Sequence, residues 1–330
     1  MNLKILCSII SLLYTCETIA TNYSYEASSS NTRRNLKNSQ STNKSKKNKN
    51  SKSSKKRKKE KKHITWAQFT QNPTQKGTII FNDVRLEITA SELECLEKTT
   101  AKFPRLEELT LSGGFKSADD RVDNYDKRKE GLSVLLTNAE SLKELSINYC
   151  ISKTLPKEIW NLKKLTSLKI IGNQQKTLPK EIGNLKNLKN LEIRSSGLIS
   201  LPSEIANLSN LTSLTLLRNK LKTLPSEIGD LKNLRTLKIE DTNLKKLPNE
   251  VSNLPNLTFL HIGDTNVSAL PEGFENLTEL TELELVFNKF ENFPKEVEHL
   301  PNLEKLYVDN GLKKKIPKSL ESKLEENPLE

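Results

Sequence analysis

Residues 178–200 read LPKEIGNLKNLKNLEIRSSGLIS, and the same pattern begins again at Leu201 and Pro202. An apolar residue followed by proline recurs every 23 residues, at Leu155, Leu178, Leu201, Leu224, Leu247, Leu270, Phe293 and Ile316. A fixed period of this length is typical of a solenoid, in which each copy buries its apolar side chains against the neighbouring copies. The period therefore decides the fold class.

Each copy contains a short stretch in which apolar and polar residues alternate, as around Leu214 and Leu216. Alternation with period two predicts a strand that buries one face. The proline of the next stretch suits the first turn of a helical segment, because its missing N–H is not needed there. The sequence thus predicts an α/β solenoid, a horseshoe with a parallel concave sheet of about nine strands and short helical or 3-10 segments on the convex side.

The spacing of apolar residues within a copy also matches a known family. The copy with Leu211, Leu214, Leu216, Asn219 and Leu221 follows L-x-x-L-x-L-x-x-N-x-L, and the return arm carries L-P-x-E-I. The chain resembles leucine-rich-repeat proteins of the 23-residue class, notably exported bacterial proteins of the spirochaete type. It is also similar to the eukaryotic intracellular class that binds small GTPases. The resemblance covers roughly residues 142–318.

The position after each strand carries mostly small polar residues, namely Cys150, Asn173, Ser196, Asn219, Thr242, Thr265 and Asn288. The resemblance implies that this column is a buried structural ladder, whose polar side chains satisfy backbone groups at the turn. We therefore expect these residues to support the fold and to have no direct part in binding.

The repeats need polar ends that close the core. Residues 63–141 are expected to form an N-terminal cap and an irregular first repeat, with a helical stretch over 91–103 and a charged surface insertion over 117–131. Residues 142–318 hold the regular repeats, and residues 319–330 are expected to form a C-terminal cap with a closing helix.

The N-terminal residues 1–20 contain the apolar run ILCSIISLLY, which is too short to span a bilayer, and end in small residues. This pattern predicts an export signal cleaved near Ala20, and hence a secreted or cell-surface protein. Lipidation of Cys16 is a weaker interpretation, because the residues before it match a lipoprotein signal poorly. A cytoplasmic or host-nuclear location is the alternative if the signal does not act.

Residues 21–62 are rich in Ser, Asn and Lys and contain 15 Lys and Arg against two Glu. So few apolar residues predict a disordered polybasic segment. This segment accounts for the net charge of +12, since the 268 residues after it carry 37 basic and 38 acidic groups. Within it, residues 31–62 are a spacer, an attachment to an anionic lipid, glycan or nucleic-acid surface, or a nuclear-import signal.

Catalysis is not expected, because the chain lacks a phosphate-binding glycine loop, a Cys-x-x-Cys pair and a His-Glu-x-x-His motif. No cofactor or metal is expected either. One column of four strands does bring together Lys238, His261, Glu284 and Tyr307. A charged ladder on an open sheet is the preferred interpretation, because nothing in the pattern excludes water from it.

The outward positions of the late strands predict a protein-binding site on the concave face. Aromatic and acidic residues gather there, whereas the early strands carry small or basic residues such as Ser146 and Ser167. The candidate partner-binding residues are Phe259, His261, Glu282, Glu284, Phe287, Tyr307 and Asp309. The sequence therefore favours a monomeric, non-enzymatic, exported protein that binds or adheres to a protein ligand. The alternatives are an intracellular scaffold or regulator of a small-GTPase pathway and a secreted effector with a nuclear-import segment.

Overall fold

The computed structural model describes residues 106–112, 125–149 and 154–326, together with four short strands further upstream. These strands are β1 (His63–Ile64), β2 (Thr78–Ile80), β3 (Arg85–Thr89) and β4 (Thr100–Lys102). The predicted export signal, the polybasic segment and the ladder residue Cys150 lie outside the described residues. Most of the expected helix over 91–103 does so too, but its end is wrong, because Thr100–Lys102 is a strand.

The predicted solenoid with a parallel sheet is confirmed. Each strand pairs in parallel with the strand of the next copy, and Leu or Ile always faces Leu or Ile along the core face. The nine strands are β5 (Glu108–Ser112), β6 (Glu144–Asn148), β7 (Ser167–Ile171), β8 (Asn190–Arg194), β9 (Ser213–Leu217), β10 (Thr236–Glu240), β11 (Phe259–Gly263), β12 (Glu282–Val286) and β13 (Lys305–Val308).

The sheet continues past these nine strands into the predicted cap. Strands β1 and β3 join its N-terminal edge, so that the order is β1-β3-β5 and then β6 to β13, eleven strands among the described residues. Arg85 of β3 pairs with Glu108 of β5, which is the 23-residue repeat spacing. Strands β2 and β4 form a separate parallel pair. The cap is therefore built partly from repeat-like strands.

The return arms are 3-10 helices, each of which follows the repeated proline. The prolines have extended backbone, with φ of −64° at Pro156 and −74° at Pro179, and end the preceding stretch without donating a hydrogen bond. The arms are Lys157–Asn161, Lys180–Asn184, Ser203–Asn207, Ser226–Asp230, Asn249–Asn253, Phe274–Asn276 and Lys295–His299. Each turns one apolar side chain, such as Ile182 or Ile205, into the core.

One arm differs from the others and begins within the expected charged surface insertion. Helix α1 (Tyr125–Thr137) occupies the second half of this stretch, and its Leu132, Leu135 and Leu136 are buried in the core. The Ser133 hydroxyl donates a hydrogen bond to the Glu158 carboxylate on the next arm, at 2.9 Å. The insertion therefore supplies an α-helix where the regular copies supply a 3-10 helix.

The C-terminal end is covered by two short helical segments, and the second, a 3-10 helix, lies where the closing helix was expected. Helix α2 (Asn310–Lys313) follows β13, and a 3-10 helix spans Lys318–Lys323 with Leu320 buried. Leu324 then pairs with Leu306 of β13, and the Glu325 N–H donates to the Leu306 carbonyl at 3.0 Å. This pairing covers part of a sheet edge that would otherwise invite association.

Buried leucines and isoleucines of all the copies form one continuous core that extends from Leu106 to Leu320. One copy departs from the pattern, because Gln175 takes the place of a core leucine and is itself buried. Its side chain accepts a hydrogen bond from the Leu155 N–H at 3.2 Å and donates one to the Thr177 carbonyl at 2.5 Å. The polar group is thereby satisfied inside the core.

Candidate protein-interaction face

The polar ladder stands two residues after the end of each strand. The Nδ2 of Asn219 donates to the carbonyls of Ile193, at 2.8 Å, and Leu217, at 3.0 Å, and its Oδ1 accepts from the Ser196 and Leu198 N–H groups. Equivalent bonds to backbone or ladder groups involve Asn173, Ser196, Thr242, Thr265 and Asn288. These side chains are occupied inside the turn and do not reach the surface of the sheet.

Two further ladders, which the sequence analysis missed, tie the copies together on the surface. Asparagine side chains donate to a carbonyl 24 residues earlier, at Asn187, Asn210, Asn233, Asn256 and Asn302. Threonine hydroxyls donate to a carbonyl 23 residues earlier, at Thr166, Thr212, Thr258 and Thr281. The signal was present in the sequence, as asparagine and threonine recur at the repeat spacing.

The residue between each strand and its ladder residue has a left-handed backbone. This column comprises Tyr149, Gly172, Ser195, Arg218, Asp241, Asp264 and Phe287, with φ between 45° and 66°. Glycine is the residue that adopts this conformation without cost, yet most copies place a larger side chain there. At Phe287 the side chain is 44% exposed, so this aromatic stands at the rim of the sheet beyond the end of β12.

The outward face of the late strands carries the residues that the sequence analysis singled out. Lys238, His261, Glu284 and Tyr307 pair across β10 to β13 as one column, and Phe259 and Glu282 pair in the column beside it. We use the name acidic–aromatic patch for Lys238, Glu240, Phe259, His261, Glu282, Glu284 and Tyr307. The patch contains five of the seven predicted partner-binding residues.

His261 is the most buried member of the patch, with 6% of its surface exposed. Its Nδ1 hydrogen bonds to the Glu284 carboxylate, and its Nε2 lies 3.8 Å from Oε2 of Glu240. Gly263, at the end of the same strand, makes this position of the ring possible, because a Cβ there would lie 2.7 Å from Nε2. The ring is therefore held between carboxylates of the two neighbouring strands.

The two ring nitrogens of His261 differ in their contacts. A carboxylate is an acceptor, so Nδ1 donates to Glu284. Among the described residues, Nε2 has no hydrogen-bond partner although it is buried. Nε2 faces the Glu240 carboxylate at 3.8 Å, which is beyond hydrogen-bond distance.

Phe259 is half-buried and already has a cation on its ring. The Lys238 Nζ lies 4.5 Å from the ring centroid, which is within the range of a cation–π interaction. Lys238 stands on β10 and Phe259 on β11, in adjacent columns. The ring can therefore hold an ammonium group in this environment.

Tyr307 completes the patch on β13. Burial raises the pKa of its hydroxyl above the ordinary value of 10.0, and Glu282 raises it further, whereas Lys305 lowers it. Glu325 and Glu284 also raise this pKa. The surroundings of the hydroxyl are therefore negative in balance and oppose the formation of an anion.

Asp309 differs from the other predicted partner-binding residues. It is the N-cap of α2, and its Oδ1 accepts a hydrogen bond from the Leu312 N–H at 3.2 Å. A capping aspartate stabilises the first turn of a helix. The structure therefore gives Asp309 a local structural role outside the patch.

Charge is distributed unevenly along the solenoid. Residues 154–222 contain 12 Lys and Arg and four acidic residues, whereas residues 246–291 contain two Lys and eight acidic residues. On the early face, the carboxylate of Glu192 pairs with Lys169, at 3.3 Å, and with Arg194. Residues 246–291 have the opposite balance, and they include Phe259, His261, Glu282 and Glu284 of the acidic–aromatic patch.

The described residues show no arrangement of His, Cys, Asp and Glu that could hold a metal ion. In the same part of the chain, no helix has the length and apolar character needed to cross a membrane.

Comparisons with known proteins agree with the observed fold. Residues 204–327 match the model of a leucine-rich repeat region. The internalin InlF of Listeria monocytogenes is similar, with 20% identity, a TM-score of 0.50, and 74% of this chain and 78% of that one covered. A comparison with curated protein sequences gives no significant match.

Two other solved structures are similar over part of their length. A leucine-rich-repeat protein of Leptospira interrogans has 28% identity and a TM-score of 0.47, with 71% of this chain and 59% of that one covered. The plant peptide hormone receptor RGFR1, in complex with RGF2, has 22% identity and a TM-score of 0.47, with 70% and 39% covered. The present chain thus spans less than two thirds of either protein.

A parallel sheet with one open face and 3-10 arms on the other side defines a repeat solenoid. Its residues 204–327 are a leucine-rich repeat region. This fold is typical of proteins that bind other proteins.

Proposed function

We propose that this chain is an exported, non-enzymatic protein that binds a protein partner on the open face of its sheet, centred on the acidic–aromatic patch. One observation carries the proposal. Phe259 and Tyr307 occupy outward positions on β11 and β13, where the core does not require aromatic side chains. Aromatic residues surrounded by polar groups are typical of the centre of a protein interface.

The size of the face supports a protein partner. Nine strands at ~4.8 Å spacing, each with five residues at ~3.3 Å, give an area of about 600 Å². A stable interface buries about 800 Å² on each partner. The sheet face alone supplies about three quarters of that area, and the patch would form the centre of the contact.

The test compares two double variants of the full chain. Phe259→Ala with Tyr307→Ala removes the aromatic anchors. Ser146→Ala with Ser167→Ala is the control, because these two side chains on the early face are also half-buried. Binding to a panel of extracellular-matrix and host-surface proteins is measured by biolayer interferometry. The aromatic pair is expected to cost at least ~2 kcal/mol of binding free energy, and the serine pair almost nothing. Equal losses from both pairs, or no loss from either, would place the site elsewhere.

Export is the second part of the proposal, and it rests on the apolar run within residues 1–20. Expression in a bacterial host with a secretion pathway, followed by mass spectrometry of the product, tests it directly. A mature N-terminus near Thr21 is expected. A product that retains residues 1–20 and remains in the cytoplasm would favour the intracellular scaffold instead.

A further inference from the structure

We propose that the acidic–aromatic patch recognises a Lys- or Arg-rich segment of the partner, and that Lys238 occupies one of its cation positions until the partner arrives. The inference rests on the proposed function and adds the chemistry of the ligand. It assigns two cation positions, one between Glu240 and His261 and the other on the ring of Phe259.

The first position lies between the Glu240 carboxylate and His261. Nε2 of His261 is buried, lacks a hydrogen-bond partner among the described residues, and faces Oε2 of Glu240 at 3.8 Å. The Glu240 side chain is 38% exposed. An ammonium or guanidinium group of the ligand can donate to its carboxylate, which is an acceptor.

Gly263 lets the His261 ring take this position. A Cβ at residue 263 would lie 2.7 Å from Nε2 and 3.3 Å from Cγ2 of Val286, and Glu284 fixes the ring from the other side.

The second position is the ring of Phe259, which Lys238 now covers at 4.5 Å. This contact shows that the ring accepts a cation. A cation of the ligand must displace the Lys238 side chain to reach the same position. Glu282, paired with Phe259 across the strands, and Glu284 lie next to it and favour positive charge. Lys238 therefore lowers the affinity for a basic ligand.

Three synthetic hexapeptides test the ligand class, with alternating Arg-Ser, Lys-Ser or Glu-Ser sequences. Their dissociation constants are measured with the full chain at 50 mM and 500 mM salt. The Arg and Lys peptides are expected to bind at least tenfold more tightly than the Glu peptide at low salt, and to lose most of that advantage at high salt. Equal binding of all three peptides, or none, would overturn the proposal.

Two pairs of variants locate the site, and all of them keep residues 31–62 unchanged. Glu240→Gln is expected to weaken binding of the Arg peptide at least fivefold, whereas Glu227→Gln, on a return arm, removes the same charge with less than a twofold effect. Lys238→Met is expected to tighten binding at least threefold, while Lys245→Met, outside the strands, changes it less than twofold.

The outcome separates this inference from the proposed function. Identical effects of Glu240→Gln and Glu227→Gln would overturn the cation site. If a partner still depended on Phe259 and Tyr307 in that case, the binding face would stand and only the ligand chemistry would be wrong. If the cationic peptides bound through Glu240 but no protein partner depended on the aromatic pair, the inference would stand without the larger interface.

Discussion

Buried and exposed asparagines of this solenoid are expected to contribute differently to the stability of the fold. Asn219 makes four hydrogen bonds to backbone groups of two neighbouring copies. Asn187 makes one hydrogen bond, to the Lys163 carbonyl at 2.8 Å, on the surface. Water can replace the partner of Asn187 but has little access to those of Asn219.

The first prediction compares these two residues. Asn219→Ala should lower the free energy of unfolding by about 2–4 kcal/mol, because it leaves several buried backbone groups without partners. Asn187→Ala should cost about 1 kcal/mol or less. Urea unfolding monitored by circular dichroism measures both. Similar costs would mean that the buried ladder contributes no more than the exposed one.

At the residue scale, the sequence could predict which residues of neighbouring strands lie side by side, but not where their side chains point. The period places His261 beside Glu284 and Phe259 beside Glu282, because parallel strands pair at a constant register. It does not show that the His261 ring lies against Gly263, or that Lys238 covers Phe259. Those positions depend on which neighbouring side chain leaves space. The N-cap role of Asp309 was missed because α2 replaces the usual turn after β13.

At the element scale, strand pairing ties each copy to the next at a constant spacing, and a surface asparagine, a surface threonine or both add to it in the regular copies. The strands pair at a separation of 23 residues, and the surface asparagines and threonines reach back 24 and 23 residues. The copies are therefore interchangeable in register although their surface residues differ. A deletion that preserves the spacing keeps all of these bonds.

The second prediction uses a matched pair of deletions. Removing 23 residues, Leu188 to Asn210, should leave a folded chain that unfolds cooperatively with a stability lower by about one repeat and its interfaces. Removing 22 residues, Lys189 to Asn210, shifts every later residue by one position and turns core side chains to the other face of the strand where the copies join. Calorimetry should show a sharp transition for the first protein only. Equal behaviour of the two would contradict the register.

The regular copies could be predicted because each contains an apolar residue followed by proline at the same spacing. The two ends of the sheet could not be predicted in this way. Strands β1 and β3 lack the Leu-Pro pair, and β3 shows only Leu86 and Ile88 as a strand pattern. Helix α1 lies where the spacing is irregular, and many charged residues hide its buried Leu132 and Leu135. The spacing of residues predicts the structure only where the 23-residue period is kept.

At the scale of the whole molecule, charge is unevenly distributed in two separate ways, one in the segment 21–62 and the other within the repeats. The segment 21–62 holds the excess of lysine and arginine, while residues 63–330 are near neutral. Within the repeats, basic and acidic residues are separated along the solenoid. A high isoelectric point therefore describes the segment and not the repeats.

The third prediction concerns that segment. A chain that begins at His63 should melt at the same temperature as one that begins at Thr21, because residues 21–62 are predicted to add nothing to the core. Only the longer chain should adsorb to heparin or anionic vesicles. That adsorption should vanish by about 0.5 M salt, where charges are screened within about 4 Å. Heparin binding that survives the truncation would place the basic site on the repeats.

The separation of charge along the repeats affects how fast a complex forms. An acidic region attracts a basic ligand over about 8 Å at physiological ionic strength, before any side chains touch. The encounter is therefore accelerated and oriented, with the basic segment of the ligand directed to the late copies. The lifetime of the complex, in contrast, depends on short-range contacts with Phe259 and Tyr307. Salt would then change the association rate of such a partner, and removal of the aromatic rings would change its dissociation rate.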